Sequence, residues 1–255
     1  MSLTAKLMLT PLLVVQALAT RARMPRLPEP DGDRYGVVGA RGAAPIKLLI
    51  VGDSSAAGVG VPAQADALAG RLAERLAQTL PLQVHWRLLA RSGITTAQAL
   101  QFLDAHDAPA ADVAVVVTGV NDVVDQIPSS RAVAARDALA NGLRTRWGVR
   151  HVVFAPLPPV GQFHGLPQPL RWIAGTDADR HNAALLRWAA QRSDVSVVTM
   201  AVSLNRGVMA SDGFHPGAPV YRYCANAIAL HIAALPFLQA PTPPSPSSRK
   251  ANATT

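Results

Sequence analysis

Residues 46–60 read IKLLIVGDSSAAGVG. The apolar run Ile46–Val51 stops at a glycine-rich loop, and residues 65–80, ADALAGRLAERLAQTL, then carry Leu68, Leu72, Leu76 and Leu80 at helical spacing. A short apolar run that changes to helical period predicts a strand followed by an amphipathic helix. The pattern recurs downstream. Strands are expected at 83–90, 112–118, 151–155 and 195–200, with helices at 95–106, 131–147, 183–192 and 219–234 between and after them. The third strand, DVAVVVT, is apolar at nearly every position, as a strand covered on both faces must be. Strands alternating with helices of this length imply right-handed crossovers and one doubly wound parallel sheet, here of five strands. Ligands of such sheets bind where the strands end, so the loops after each strand carry the functional argument.

Length and composition set the frame. A chain of 255 residues, 49 % of them hydrophobic, builds one α/β domain with a substantial core. The division expected is an N-terminal hydrophobic segment at 1–22, a Pro/Arg/Gly-rich connector at 23–45, the α/β domain at 46–239 and a disordered Pro/Ser/Thr-rich tail at 240–255. The formal charge is +8. The basic residues are dispersed and few aromatics lie among them, which argues against nucleic acid and leaves anionic substrates or lipid headgroups as charge partners. The single cysteine, Cys224, excludes an internal disulfide and any paired-cysteine metal or redox motif.

The first twenty residues, MSLTAKLMLTPLLVVQALAT, admit three readings: an uncleaved helix on a membrane surface or on the domain, a cleaved signal, and a signal anchor. The apolar stretch is short for a span, Pro11 and Gln16 interrupt it, and Arg21, Arg23 and Arg26 follow the would-be cleavage point. Those features favour the first reading, with a cytoplasmic or inner-face location expected and a secreted or periplasmic one as the alternative.

The glycine loop fits no nucleotide motif. Its glycines at 52, 58 and 60 match neither a dinucleotide fingerprint nor a P-loop, and Ala56 stands where the nucleophile elbow of α/β-hydrolases needs a fifth-position glycine. A serine just past a strand end remains. By itself Gly52-Asp53-Ser54 is also an ordinary turn with a helix cap. Other strand ends add chemistry. Gly93 follows the second strand, Asn121 and Asp122 follow the third, and Asp212 and His215 lie on one tight turn before the last helix. A serine nucleophile needs a neutral histidine to take its proton, a carboxylate to orient that histidine, and N–H donors for the oxyanion.

These blocks, Gly52-Asp53-Ser54, the glycine of ARSG at Gly93, Gly119-Val120-Asn121-Asp122 and Asp212-Gly213-Phe214-His215, resemble the SGNH hydrolases, also called GDSL-type esterases and lipases, over about residues 46–235. The resemblance implies a flavodoxin-like three-layer α/β/α sandwich and hydrolysis of carboxylic esters through an acyl-enzyme. It implies Ser54 as nucleophile and backbone donor, Gly93 and Asn121 as further oxyanion donors, His215 as base and Asp212 as its partner. Ser55 stands where the family's nickname has leucine and is a rival nucleophile. Asp53 and Asp122 are expected to brace their loops. No cofactor and no metal are expected, and the substrate is a small ester or lipid-like molecule. Thioesterase, lysophospholipase, carbohydrate acetylesterase and acyltransferase activities are alternatives within the family, and an inactive binding module is the alternative outside it. In the Pro-rich segment 156–172, Phe163 and Trp172 are candidates for substrate contact.

Overall fold

The computed structural model describes residues 3–106 and 110–239, and the tail expected at 240–255 lies outside the described residues. Among the described residues, six strands form one sheet in the order β1-β3-β2-β4-β5-β6: β1 (Tyr35–Val38), β2 (Ala44–Gly52), β3 (Leu82–Ala90), β4 (Val113–Val117), β5 (His151–Phe154) and β6 (Val195–Val197). The five strands read from the sequence are present and parallel. A sixth, β1, pairs antiparallel with β3 at the sheet edge. Its four residues, YGVV, lie in the stretch read as a connector and are too few for a periodic signal; main-chain pairing with β3 makes them a strand.

Side chains alternate across β2, as strand geometry requires. Ile46, Leu48 and Ile50 pack with α3 (Leu68–Thr79) and α8 (Ala218–Ala233) on one face. Leu49 and Val51 pack on the other with α4 (Thr96–Asp104), α6 (Ser129–Trp147) and α7 (Leu170–Ala189). This is the three-layer α/β/α sandwich. The chain runs from β2 to β3 on one side and then to β4 on the other, so the topological switch lies at the end of β2. Residue 52 ends that strand.

Two helices depart from expectation. The reading at 183–192 catches only the end of α7, which begins at Leu170. Its buried face includes Gly175, Asp177 and His181 beside Ile173, Ala178 and Leu185, and those polar and glycine positions blur the apolar period. The N-terminal segment forms α1 (Leu3–Arg23), continuous through Pro11. Gln16, one of the residues that interrupt the apolar run, ties α1 to α7: its Nε2 donates to the Gln168 carbonyl at 2.7 Å, and its Oε1 accepts from the Leu170 N–H at 3.2 Å. No helix among the described residues is long and apolar enough to cross a membrane.

Candidate active site

Asp53 caps the short helix α2 (Ser54–Ala57), its Oδ1 accepting the Ser55 N–H at 2.9 Å. The cap turns the chain at the end of β2 and leaves Ser54 as the first helical residue. Its N–H belongs to the turn that has no intrahelical acceptor. Asp53 is itself buried, and that burial pushes its carboxyl up to about 7.

The turn at 212–215 approaches from the other side. Asp212 Oδ1 accepts the N–H groups of Phe214 and His215, both at 2.9 Å, which winds the turn around its own carboxylate. Asp212 Oδ2 lies 2.6 Å from His215 Nδ1, and His215 Nε2 lies 3.0 Å from Ser54 Oγ. Because a carboxylate only accepts, Nδ1 carries the ring proton and Nε2 is left to accept from the serine hydroxyl. Burial works to raise the Asp212 carboxyl, but the bonds from the His215 ring and from the two backbone N–H groups outweigh it and hold the carboxyl below its ordinary value. Ser55 makes no bond with His215 and serves α2 through its backbone.

The approach of the turn depends on Gly60. A Cβ there would stand 2.2 Å from the Pro216 carbonyl oxygen, and the residue has φ +110°. Tyr221 of α8 closes the same contact, donating its buried hydroxyl to the Val59 carbonyl at 2.6 Å. The glycine loop is therefore a seat for the histidine turn.

Asn121 lies on α5 (Val120–Val124), after β4. Its Nδ2 donates to the Ile94 carbonyl at 3.0 Å, which orients the amide and leaves one N–H unspent beside a cavity that Asn121 and Ser54 both line. Gly93, at φ +82° on the exposed turn after β3, has open space where a Cβ would be and does not line that cavity.

The cavity, ≈ 30 Å³, is apolar on its far side, where Phe163, Leu204, Met209 and Phe214 stand. Phe163 is buried and meets Phe214 edge-on, with ring centroids 5.0 Å apart. Trp172 is elsewhere: it sits in the first turn of α7, is 51 % exposed and does not line the cavity. The Leu204–Met209 wall has no signature in the sequence. Met209 is placed by an isolated bridge to Pro216, a contact that exists only once the loop folds back on the histidine turn. No group of three or more His, Cys, Asp or Glu side chains among the described residues is placed to hold a metal ion.

Beneath Asn121 lies a buried polar cluster. Asp122 accepts from the Thr96 N–H at 2.9 Å and from Thr96 Oγ1 at 2.6 Å, while Arg136 of α6 brings Nη2 to 3.8 Å from its Oδ2. Asp122 and Arg136 are each 1 % exposed. Asp122 was expected to brace its loop; its partners Thr96 and Arg136 lie in predicted helices and carry no motif that marks them.

Residues 50–223 match the GDSL-like lipase/acylhydrolase family, and the chain belongs to it. It is accordingly a hydrolase of ester bonds. Among solved structures, the lipase Lip_vut3 from a goat rumen metagenome is similar at 20 % identity and TM-score 0.60, over 76 % of this chain and 100 % of that one. A carbohydrate esterase family 2 enzyme with a carbohydrate-binding domain from Corynascus thermopiles (Myceliophthora fergusii) is similar at 17 % identity and TM-score 0.59, over 78 % and 68 % of the two chains. Est24, a carbohydrate acetylesterase from Sinorhizobium meliloti, is similar at 19 % identity and TM-score 0.54, over 74 % and 99 %. At these identities the likeness is one of fold. Compared by sequence with curated proteins, the chain matches none.

Proposed function

We propose that the protein hydrolyses carboxylic esters of small acyl groups with Ser54 as nucleophile. The observation that carries the reading is the continuous chain from Ser54 Oγ through His215 to Asp212. Ser54 Oγ attacks the ester carbonyl as its proton passes to His215 Nε2; Asp212 holds the Nδ1–H and stabilises the imidazolium that forms. The carbonyl oxygen becomes an oxyanion, met by the Ser54 N–H and the free N–H of the Asn121 amide, the two of the three expected donor residues that line the cavity. The tetrahedral adduct collapses, the alcohol leaves with the proton from His215, and an acyl-serine remains. Water then gives its proton to the same histidine, attacks the acyl carbon and releases the acid and Ser54.

A small acyl group is favoured because the cavity beside Ser54 is small and apolar-walled. The acetylesterase named above acts on a carbohydrate, and an acetylated sugar is a substrate class of matching acyl size. Replacing Ser54 with Ala is expected to reduce hydrolysis of p-nitrophenyl acetate to background, and Ser55→Ala to leave most of it. Full activity in Ser54→Ala would overturn the assignment, and loss only in Ser55→Ala would transfer it to the neighbour. A fluorophosphonate probe should label the wild type and Ser55→Ala but not Ser54→Ala.

A further inference from the structure

Helix α1 has a mixed side turned to the domain and an apolar stripe turned away from it. Leu9, Leu13, Gln16 and Thr20, spaced four, three and four apart, are the partly covered side, pinned through Gln16 to the start of α7. Pro11, Val14, Val15, Leu18 and Ala22 follow the spacing of a second stripe, and every one of them is exposed. Leu12 is 46 %, Val14 50 %, Val15 63 % and Leu18 64 % exposed, so four of the eleven large hydrophobic side chains that are exposed among the described residues stand on this one helix. The stripe ends at Arg21 and Arg23, exposed in the last turn, with Arg26 exposed just beyond. Residues 1–28 contain four basic side chains, Lys6, Arg21, Arg23 and Arg26, and no acidic one.

We infer that α1 docks the enzyme on an anionic phospholipid surface, with the stripe Pro11–Ala22 in the acyl–headgroup boundary and Arg21, Arg23 and Arg26 on the headgroups. A helix apolar on its outer side, basic at its end and tied to the protein by its inner side lies in the interface plane and does not cross it. Charge selects this occupant over a second copy of the chain. A two-fold pairing through α1 would bring two sets of uncompensated arginines to one interface, whereas anionic lipid neutralises them. Trp172 fits the same surface. It stands exposed two residues beyond Leu170, whose N–H is bound by Gln16, and an indole with one apolar and one polar edge suits the headgroup level. One edge of that surface, Val15, Ala19 and Arg23, also borders a groove of ≈ 480 Å³ shared with His164–Pro167 and Ser211–Asp212. Docking through α1 would therefore hold the back of the histidine turn close to the bilayer.

The test is co-sedimentation of the full chain with vesicles of phosphatidylcholine alone and of phosphatidylcholine mixed with phosphatidylglycerol. Binding is expected to the mixed vesicles, to weaken as salt is raised, and to be far lower to phosphatidylcholine alone. Each arginine near such a surface adds about fivefold to partitioning, so Arg21→Glu/Arg23→Glu/Arg26→Glu should lose on the order of a hundredfold. Val14→Asp/Val15→Asp/Leu18→Asp should lose at least about tenfold by removing the apolar stripe. Both variants should hydrolyse soluble p-nitrophenyl acetate like the wild type, and Ser54→Ala should bind vesicles like the wild type, so the docking and the catalytic reading fail independently. The arginine variant keeps the test open should the apolar variant fail to fold. No binding to the mixed vesicles, binding insensitive to charge and salt, or binding retained by both variants would overturn the inference. So would a concentration-dependent dimer abolished by Leu18→Asp in a protein that ignores vesicles.

Discussion

Asp53 shows how a cap residue can carry a cost that depends on pH. Its carboxyl has an ordinary value of 3.8 and is pushed up to about 7, first by burial and also by the neighbouring Asp122, against the Ser55 N–H and His215, which favour the charged form. The folded state thus keeps a proton that the unfolded chain releases. The resulting stability is fully present below about pH 4 and is lost as pH rises through about 7. Asparagine can still accept the Ser55 N–H and does not titrate. Asp53→Asn should therefore gain on the wild type between pH 5 and pH 8 by on the order of 2–3 kcal/mol, read from urea unfolding at the two values. Parallel stabilities at both would show that Asp53 is ionised in the folded protein throughout. Asn121 makes a kinetic prediction at the same scale. On the proposed mechanism its alanine variant loses a donor that matters only once the oxyanion forms, so kcat should fall by about 10²–10³ while KM changes little. An equal loss carried in KM would make Asn121 a substrate-binding residue.

At the scale of elements, the 119–122 turn is held by helices that never touch the cavity. α4 supplies Thr96, which hydrogen-bonds the buried Asp122 directly under Asn121, and α6 supplies Arg136, which pairs with it only in charge at 3.8 Å and leaves its own Nη1 and Nη2 without a hydrogen-bond partner among the described residues. Burial draws the Arg136 guanidinium below its ordinary value and Asp122 draws it back up, a pair that is costly to break from one side. Gly119 completes the fit, because a Cβ at its φ of +126° would stand 2.5 Å from Arg136 Nη2. Arg136→Met should destabilise the fold by about 3–5 kcal/mol and, below its melting range, lower kcat more than it raises KM. Loss of stability alone, with kcat intact, would reduce Arg136 to a structural ion. The sequence revealed the strands and most helices because their apolar periods are clean. It concealed α7's first half, where glycine and polar side chains face inward, and β1, whose four residues are a strand only because β3 lies beside them. α1 was ambiguous for the opposite reason: apolar residues run most of the way round it, its period is not clean, and only packing separates its docked side from its free one.

Across the whole molecule, the residues proposed to react stand in motifs that the sequence displays, and the pocket beside them does not. Ser54, Asn121, Asp212 and His215 sit in short motifs at strand ends, and a parallel sheet brings strand ends together whatever the loops do. The pocket wall is assembled from Phe163, Leu204, Met209 and Phe214, drawn from separate loops, and no local pattern marks residues that meet only after folding. On the proposed reading, those residues decide acyl size. With ≈ 30 Å³ beside Ser54, the wild type should favour acetyl and butyryl esters, and kcat/KM should fall steeply for decanoyl. Phe163 is the side chain to remove, since it is buried, packs edge-on against Phe214 and lines the cavity. Phe163→Ala should cost about 3–5 kcal/mol of stability for the space it opens. That space can accept chain carbons at about 0.8 kcal/mol each, so the decanoyl-to-acetyl ratio of kcat/KM should rise at least about tenfold. If the ratio stays fixed while acetyl turnover survives, the acyl chain leaves the site away from Phe163, and the alcohol side of the ester occupies this wall instead.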